Sequence, residues 1–388
     1  MNFNFLSPVE DAVLAHNELL SEQALGRKLK INSKQHGLPE LEGVQIAIIG
    51  VPEYRNDINY IGEEFQLGEI RKALYALFPG SWFSGIADLG NINKGETVED
   101  TYFALRTTLS ILIEKNIIPI IIGGSQDLTY ANYRSYDTFK PMVNIVSVDS
   151  KFDLGDATKP IKNDSFMGKI ILEKPYNLFN YSTLGYQTYF NSQEEIDLME
   201  KLYFEAHRLG ELSGDITLSE PVLRDANIVT IDMSCVKASE VSVKQRFSPN
   251  GFDGKEICAI ARYAGISNKV SSFGIYGYKA SKDDEVTSML IAQMIWYFIE
   301  GVNSRVKDDD FTDDTSFQKY TVLVEDEELK FYKSNKTGRW WIEIPFLSNV
   351  NNKLKRHTLL PCMHRDYADA TGGKIPERWY KAHRKNSI

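Results

Sequence analysis

From Val44 onward the chain alternates short, almost uninterrupted apolar runs with longer amphipathic stretches, and that rhythm restricts the fold more than any other property. The runs Gln45–Ile49, Ile117–Ile122, Val143–Val148, Ile228–Ile231 and Val270–Ile275 are four to six residues long and rich in isoleucine and valine. At that length they read as strands, and without polar alternation they read as strands covered on both faces. Residues 67–78, 96–115, 193–209, 254–266 and 281–303 carry helical spacing of apolar positions instead. Strands and helices in turn build a mainly parallel central sheet between two helical layers, a three-layer α/β/α fold. Such a sheet gathers ligands at the carboxyl ends of its strands, so polar residues there are the candidates for chemistry.

The flanks differ from this core. Ser7-Pro8 has the form of a helix start, with Ser7 as N-cap and Pro8 as the first helical residue, and an apolar stripe through Val13, Leu14, Leu19, Leu20 and Leu25 continues to about Gly26. Residues 1–43 therefore read as an N-terminal helical extension, 44–305 as the α/β domain and 306–388 as an appended unit. That unit opens with an exposed acidic connector, Lys307–Asp314, followed by strand patterns at Tyr320–Val324, Leu329–Ser334 and Arg339–Ile344. The last two form a β-hairpin around Asn335–Gly338. A tail with few elements follows, and from Arg339 onward ten lysines and arginines stand against four aspartates and glutamates. Trp340, Trp341 and Trp379 with Arg356 and Arg378 either anchor this unit to the main domain or form a partner-binding surface, since tryptophan and arginine dominate interface hot spots. Anchoring is the simpler role.

Composition narrows the function classes. A chain of 388 residues, 43% hydrophobic and 25% charged, buries a sizeable core. The net charge of -9 argues against wholesale nucleic-acid binding and leaves only the basic tail for a local contact of that kind. Cys235, Cys258 and Cys362 are far apart and odd in number, which fits a reducing compartment without disulfides. No apolar run reaches membrane-spanning length and no export signal opens the chain, so a cytoplasmic protein is expected.

Three strand ends carry polar motifs: Gly123-Gly124-Ser125-Gln126-Asp127, Asp149-Ser150-Lys151-Phe152-Asp153 and Asp232-Met233-Ser234-Cys235. With Ile49-Gly50-Val51-Pro52, Gly68-Glu69-Ile70-Arg71 and Pro249-Asn250-Gly251-Phe252, they resemble in order and separation the arginase, agmatinase and formimidoylglutamase family, the ureohydrolases. The resemblance spans Val44 to about Val302 and implies the arginase-like fold. It also implies a chemistry. Family members carry Gly-Gly-Asp-His-Ser, Asp-x-His-x-Asp and Asp-x-Asp at these places, and their histidines and aspartates hold two manganese ions. The pair activates a bridging water for attack on a guanidinium or formimino carbon.

Only half of that ligand set is present. Asp149, Asp153 and Asp232 match, whereas Gln126 and Lys151 stand for the two histidines and Ser234 for the last aspartate. Gly277 falls where the family has a substrate-gripping glutamate, and Met167-Gly168 where it has a catalytic His-Gly. The histidines, His16, His36, His207, His357, His364 and His383, all lie outside the motifs. By resemblance the first metal position keeps Gln126, Asp149, Asp153 and Asp232, oxygen donors suited to a hard cation. The second needs Lys151 and Ser234, and an ammonium has no lone pair to offer. Without a cation three clustered carboxylates repel one another, and Lys151 can neutralise them from inside as an ion-paired knot. The other placement sends Lys151 into solvent and leaves Asp149 capping a loop; the charge argument favours the knot. Cys235, with no histidine near it in sequence, reads as a small buried hydrophobe.

The resulting expectation is a catalytically inactive ureohydrolase-like protein, a pseudoenzyme without a cofactor that serves as a scaffold or protein-binding component. It would have a protein partner or, as the family implies, assemble into trimers or hexamers. The alternative is a C–N hydrolase that uses one Mg or Mn ion at Gln126, Asp149, Asp153 and Asp232.

Overall fold

A computed structural model of the chain describes residues 3–60, 62, 67–139, 142–241, 248–278, 284–308, 315–345 and 359–387. Ten strands form the main sheet: β1 (Leu6–Ser7), β2 (Lys30–Ile31), β3 (Val44–Val51), β4 (Gly85–Ile92), β5 (Ile118–Gly123), β6 (Val143–Val148), β7 (Leu178–Tyr186), β8 (Glu205–Arg208), β9 (Ile228–Asp232) and β10 (Ser272–Tyr276). Their spatial order is β1-β4-β3-β5-β10-β9-β6-β7-β8, with β2 beside β4. All pairings are parallel except β1 with β4. The helices around this sheet are α1 (Asp11–Glu18), α2 (Gly68–Ala76), α3 (Val98–Glu114), α4 (Leu128–Arg134), α5 (Phe166–Leu172), α6 (Gln193–Lys201), α7 (Leu209–Gly214), α8 (Ser219–Arg224), α9 (Gly254–Ile266) and α10 (Glu285–Asn303).

The apolar runs do what their composition demands. Side chains alternate across a strand, so Ile46 and Ile48 of β3, Ile120 and Ile122 of β5 and Val146 and Val148 of β6 enter one core with α2, α9 and α10. Their neighbours Ala47, Ile49 and Ile121 enter a second core with α3, and Ile145 a third with α5. Helix starts are set locally. Thr97 with Asp100, Ser192 with Glu195 and Asp253 with Glu256 form capping boxes that open α3, α6 and α9.

Several expected boundaries shift, for identifiable reasons. The 193–209 helix ends at Lys201: Tyr203 takes a φ of 54 and the Phe204 N–H bonds back to the Met199 carbonyl, after which β8 begins. β4 and β7 escaped notice because polar residues interrupt them. Asp88 in β4 is fully buried, yet Arg71 (2.8 Å) and Tyr75 (2.9 Å) satisfy it from α2. At the N-terminus Ser7 is no helix cap; it lies in β1 and its hydroxyl donates to the Asn91 carbonyl. The 1–43 segment is thus not purely helical, since it supplies β1 and β2 to the sheet.

The C-terminal unit is an antiparallel sheet of β11 (Phe317–Val324), β12 (Glu327–Ser334), β13 (Trp340–Glu343) and β14 (Leu359–Cys362), followed by α11 (His364–Thr371) and α12 (Glu377–Ser387). It has its own core around Phe331, Trp340, Ile342, Leu360 and Trp379. The supposed tail therefore contributes a strand and two helices. Of the acidic connector, residues 309–314 lie outside the described residues, and Asp308 is buried rather than exposed. It accepts from the Ser334 hydroxyl (2.7 Å) and the Thr337 hydroxyl (2.6 Å), fixing the hairpin turn.

The proposed partner-binding residues are largely committed inside the chain. Trp340, Trp341 and Trp379 are buried, and the Trp379 indole donates to the Glu343 carbonyl at 2.8 Å. The Arg224 guanidinium lies 4.5 Å over the Trp341 ring, and Arg378 pairs with Glu205 of β8 at 2.7 Å. Trp341 and Arg378 thus anchor the unit to the main domain, whereas Trp340 and Trp379 sit in the unit's own core, so the four are not a free surface; Arg356 lies outside the described residues. Among the described residues, no helix is long and apolar enough to cross a membrane.

Candidate active site

Strands β5, β10, β9 and β6 are consecutive neighbours in the sheet, so the loops that leave their carboxyl ends converge. Gln126 follows β5, Asp149 and Asp153 follow β6, Asp232 ends β9 and Gly277 follows β10. All four polar residues are buried, with Gln126 at 2%, Asp149 at 2%, Asp153 at 5% and Asp232 at 8% exposure. The sequence motifs thus do meet at one place.

The glycine pair after β5 is required by close approach. A Cβ on Gly124 would stand 2.0 Å from the Glu53 carbonyl oxygen, and the Gly124 N–H bonds to Val51 at 2.8 Å. Burial works against the charge of Glu53, yet Arg55 (2.6 Å) and the Thr101 hydroxyl (2.9 Å) hold its carboxyl below the usual range. Two residues further on, Gln126 donates to the Ser147 hydroxyl at 3.2 Å. Its neighbour Asp127 turns the other way and is hydrogen-bonded to Tyr102, and burial pushes its carboxyl up to about 6.

Within the second motif, Asp149 accepts from the Lys151 backbone N–H at 2.9 Å, while Asp153 adopts a φ of 51. That left-handed backbone brings the Asp153 carboxyl within hydrogen-bonding reach of Asp149. One Asp153 oxygen, Oδ2, is buried with no hydrogen-bond partner. Asp232 accepts from the Ser234 N–H at 2.6 Å, which leaves the half-buried Ser234 hydroxyl beside it. Burial first, and then the negative charge of its neighbours, raises the carboxyls of both Asp149 and Asp153.

Lys151 does not form the expected knot. Its side chain is exposed and makes no ion pair among the described residues, although its charge is still felt by Asp153. Phe152 takes the interior position instead, with its ring 4.9 Å from that of Tyr186. Desolvating an ammonium costs several kcal/mol, whereas burying a phenyl ring is favourable, and the loop obeys that difference. Asp149 capping the loop, the less favoured reading, is what the chain adopts.

Sequence reasoning missed Asn191. Its Oδ1 accepts from the Phe152 N–H at 2.8 Å, and its Nδ2 donates to the carbonyls of Ser150 (3.0 Å) and Gln187 (2.9 Å). This one side chain pins the loop that carries Asp149 and Asp153. The available signal was the Ser192–Glu195 capping box, which places Asn191 at the last loop position before α6.

The remaining departures have structural meaning. Gly277 has a φ of 75, and a Cβ there would lie 2.9 Å from Asp232 Oδ1, so Asp232 occupies the space in which a side chain would begin. Met167 is buried on α5, where its N–H holds the Asp153 carbonyl at 3.1 Å; it offers no proton donor to a substrate. Burial, then Asp149 and Asp232, raises the Cys235 thiol well above its normal value, which rules against a thiolate nucleophile.

A family model of the arginase family matches residues 44–300. The chain belongs to the arginase family. Over 300 residues it is 23% identical to the formimidoylglutamase of Streptococcus gordonii, a match that covers 70% of this chain and 88% of that protein. Trypanosoma cruzi formiminoglutamase, solved with Mn2+2, superposes with a TM-score of 0.61 at 16% identity, over 69% of this chain and 96% of the other. The agmatine ureohydrolase of Thermoplasma volcanium gives a TM-score of 0.55 at 17% identity, over 75% and 98% of the two chains. These likenesses bear out the α/β/α arginase-like fold. They also correct the expectation of a metal-free pseudoenzyme, because the relatives are named as enzymes and one of them was solved with manganese.

The donor set accords with that correction in part. Among the described residues no group of three His, Cys, Asp or Glu stands at complete coordinating spacing. Asp149, Asp153 and Asp232 are nevertheless buried close enough to feel one another's charge, Gln126 is buried beside Asp149, and one carboxylate oxygen, Asp153 Oδ2, has no hydrogen-bond partner. Hard oxygen donors in that number suit one divalent ion. They do not supply a second.

Proposed function

We propose that this arginase-family member hydrolyses a C–N bond in a formimino or guanidino substrate, of the kind formimidoylglutamases use, with a single divalent metal. Gln126, Asp149, Asp153 and Asp232 would hold that metal. The observation that carries this reading is the burial of Asp149, Asp153 and Asp232 together at the ends of neighbouring strands, with Asp153 Oδ2 left without a hydrogen-bond partner. A bound divalent cation there supplies Lewis-acid polarisation and a water of lowered pKa.

The chain's own residues do the rest. Asn191 and Met167 fix the loop from both sides, so Asp149 and Asp153 are held before any ligand arrives. Ser234 presents a hydroxyl beside Asp232 that orients a polar group of the substrate. Lys151, exposed at the mouth of the cluster, offers an ammonium to the carboxylate of an anionic substrate such as N-formimino-L-glutamate. Gly277 gives its side-chain space to Asp232, so the guanidinium grip is missing, which suits a substrate that does not need it.

Elemental analysis of the purified chain, paired with formamide release from N-formimino-L-glutamate in the presence of Mn2+ or Mg2+, tests this reading. About one metal per chain is expected, with turnover lost in Asp153→Asn and KM raised in Lys151→Met with kcat little changed. Absence of both retained metal and turnover in the wild-type chain refutes it.

A further inference from the structure

The amino ends of β6 and β7 lie on the opposite side of the sheet from Asp149, and α5, α6 and α12 close around them. Between these elements is a cavity of about 340 Å³, at the small end of the range for ligand pockets. Its walls are mainly apolar and aromatic, with Ile171, Tyr176, Phe179 and Phe204 prominent, and two lysines, Lys201 and Lys385, reach it. Among the described residues no carboxylate lines it.

Lys385 is the distinctive group. Its ammonium lies 5.1 Å from the centroid of Phe204 and 5.7 Å from that of Phe179, and it donates to Asn180 Oδ1. The acid closest in the network is Glu205, which is already committed: it accepts from Asn180 (2.9 Å) and Arg378 (2.7 Å) and faces His207 at 3.6 Å. Lys381, one turn earlier on α12, is paired with Glu377 at 2.7 Å. Among the described residues Lys385 thus has a dipole and two ring faces but no ion-pair partner, and burial lowers its ammonium to about 8. Lys201 at the rim forms no ion pair among the described residues.

We infer that this cavity is a second ligand site, remote from the carboxylate cluster, that takes a small aromatic monocarboxylate. The ring stacks among Tyr176, Phe179 and Phe204, and the carboxylate meets the Lys385 ammonium with Lys201 at the entrance. An apolar wall around one cation favours an amphipathic anion over a strongly hydrated one such as phosphate, whose charge would find no further donors.

Calorimetric titration of the full-length chain with phenylacetate tests this directly and does not depend on hydrolytic activity. Saturable binding of one probe per chain is expected. Lys385→Met weakens it about tenfold, the equivalent of one charge-assisted hydrogen bond. Ile171→Trp, which fills the cavity from α5, removes it. Phenylacetamide, of the same shape without the charge, is expected to bind the wild-type chain about tenfold more weakly, and this comparison stands even where a substitution disturbs folding. No saturable binding of phenylacetate, equal affinity for phenylacetamide, or unchanged affinity in a folded Lys385→Met chain would each overturn the inference.

Discussion

Asn191→Ala removes the clamp on the loop that carries Asp149 and Asp153, and its effect can be apportioned bond by bond. The carbonyls of Ser150 and Gln187 each keep a second partner, the backbone N–H of Gln187 (3.0 Å) and of Phe190 (2.9 Å). Losing the amide donors there costs roughly 1–2 kcal/mol in total. The Phe152 N–H keeps nothing, because Asn191 Oδ1 is the partner recorded for it and the site is buried. A stranded buried donor costs roughly 1–3 kcal/mol, so the whole substitution is expected to destabilise by roughly 2–5 kcal/mol. Urea unfolding followed by circular dichroism measures this, with metal content after dialysis as the functional readout. Asn191→Asp is the sharper control. It preserves the acceptor for Phe152 but turns a carboxylate oxygen toward two carbonyls and adds charge beside the cluster, so it is expected to be worse than alanine. An Asn191→Ala chain within about 0.5 kcal/mol of wild type, with metal retained, refutes the clamp.

Gly124→Ala forces a methyl group against the Glu53 backbone, and it is expected to lower thermal stability and metal retention together. Gly210→Ala, where a Cβ meets open space, serves as the neutral comparison in the same melting experiment. Arg71→Met leaves Asp88 buried without its guanidinium and should destabilise by about 3–5 kcal/mol, read by urea unfolding; a wild-type midpoint would contradict the assigned role. For Glu205, burial opposes the charge but Arg378 and His207 hold the carboxyl well below its ordinary value. Its folded pKa lies below its unfolded one, so its stabilising contribution is complete above about pH 4.3 and is lost as pH falls toward the depressed value. Acid titration monitored by tryptophan fluorescence should show the C-terminal unit loosening in that window, and Glu205→Gln should remove the pH-dependent component.

The strands legible in the sequence are those buried on both faces. β3, β5, β6, β9 and β10 announce themselves as apolar runs because each neighbour that covers them is itself apolar. β4, β7 and β8 do not, since their interiors hold Asp88, Asn180 and Glu205, whose partners Arg71, Lys385 and Arg378 lie in other elements. The same limit applies at the site. Gln126, Asp149, Asp153 and Asp232 were recognisable because strand ends fix where they emerge. The direction of Lys151 was not, because it depends on Phe152 winning the interior and on the left-handed backbone at Asp153. Asn191 acts on Phe152 from 39 residues away, a separation at which no local pattern speaks. The loss of histidines points to a dead enzyme, but it leaves out that carboxylate oxygens alone can hold a hard cation and that Asp153 Oδ2 is buried with no hydrogen-bond partner.

Among the described residues β8 is the last strand of the ten-stranded sheet, with no strand on its outer side. A free parallel edge is a template on which a second chain can stack, and proteins that survive at high concentration obstruct it. Here the obstruction comes from α12, whose Arg378 grips Glu205 on β8 while Lys385 reaches Asn180 on the neighbouring strand. A chain cut short before β11 therefore loses more than an appendage. Its sheet would stand open at one side, and its failure would be seen as sedimenting polymer before any loss of helical signal.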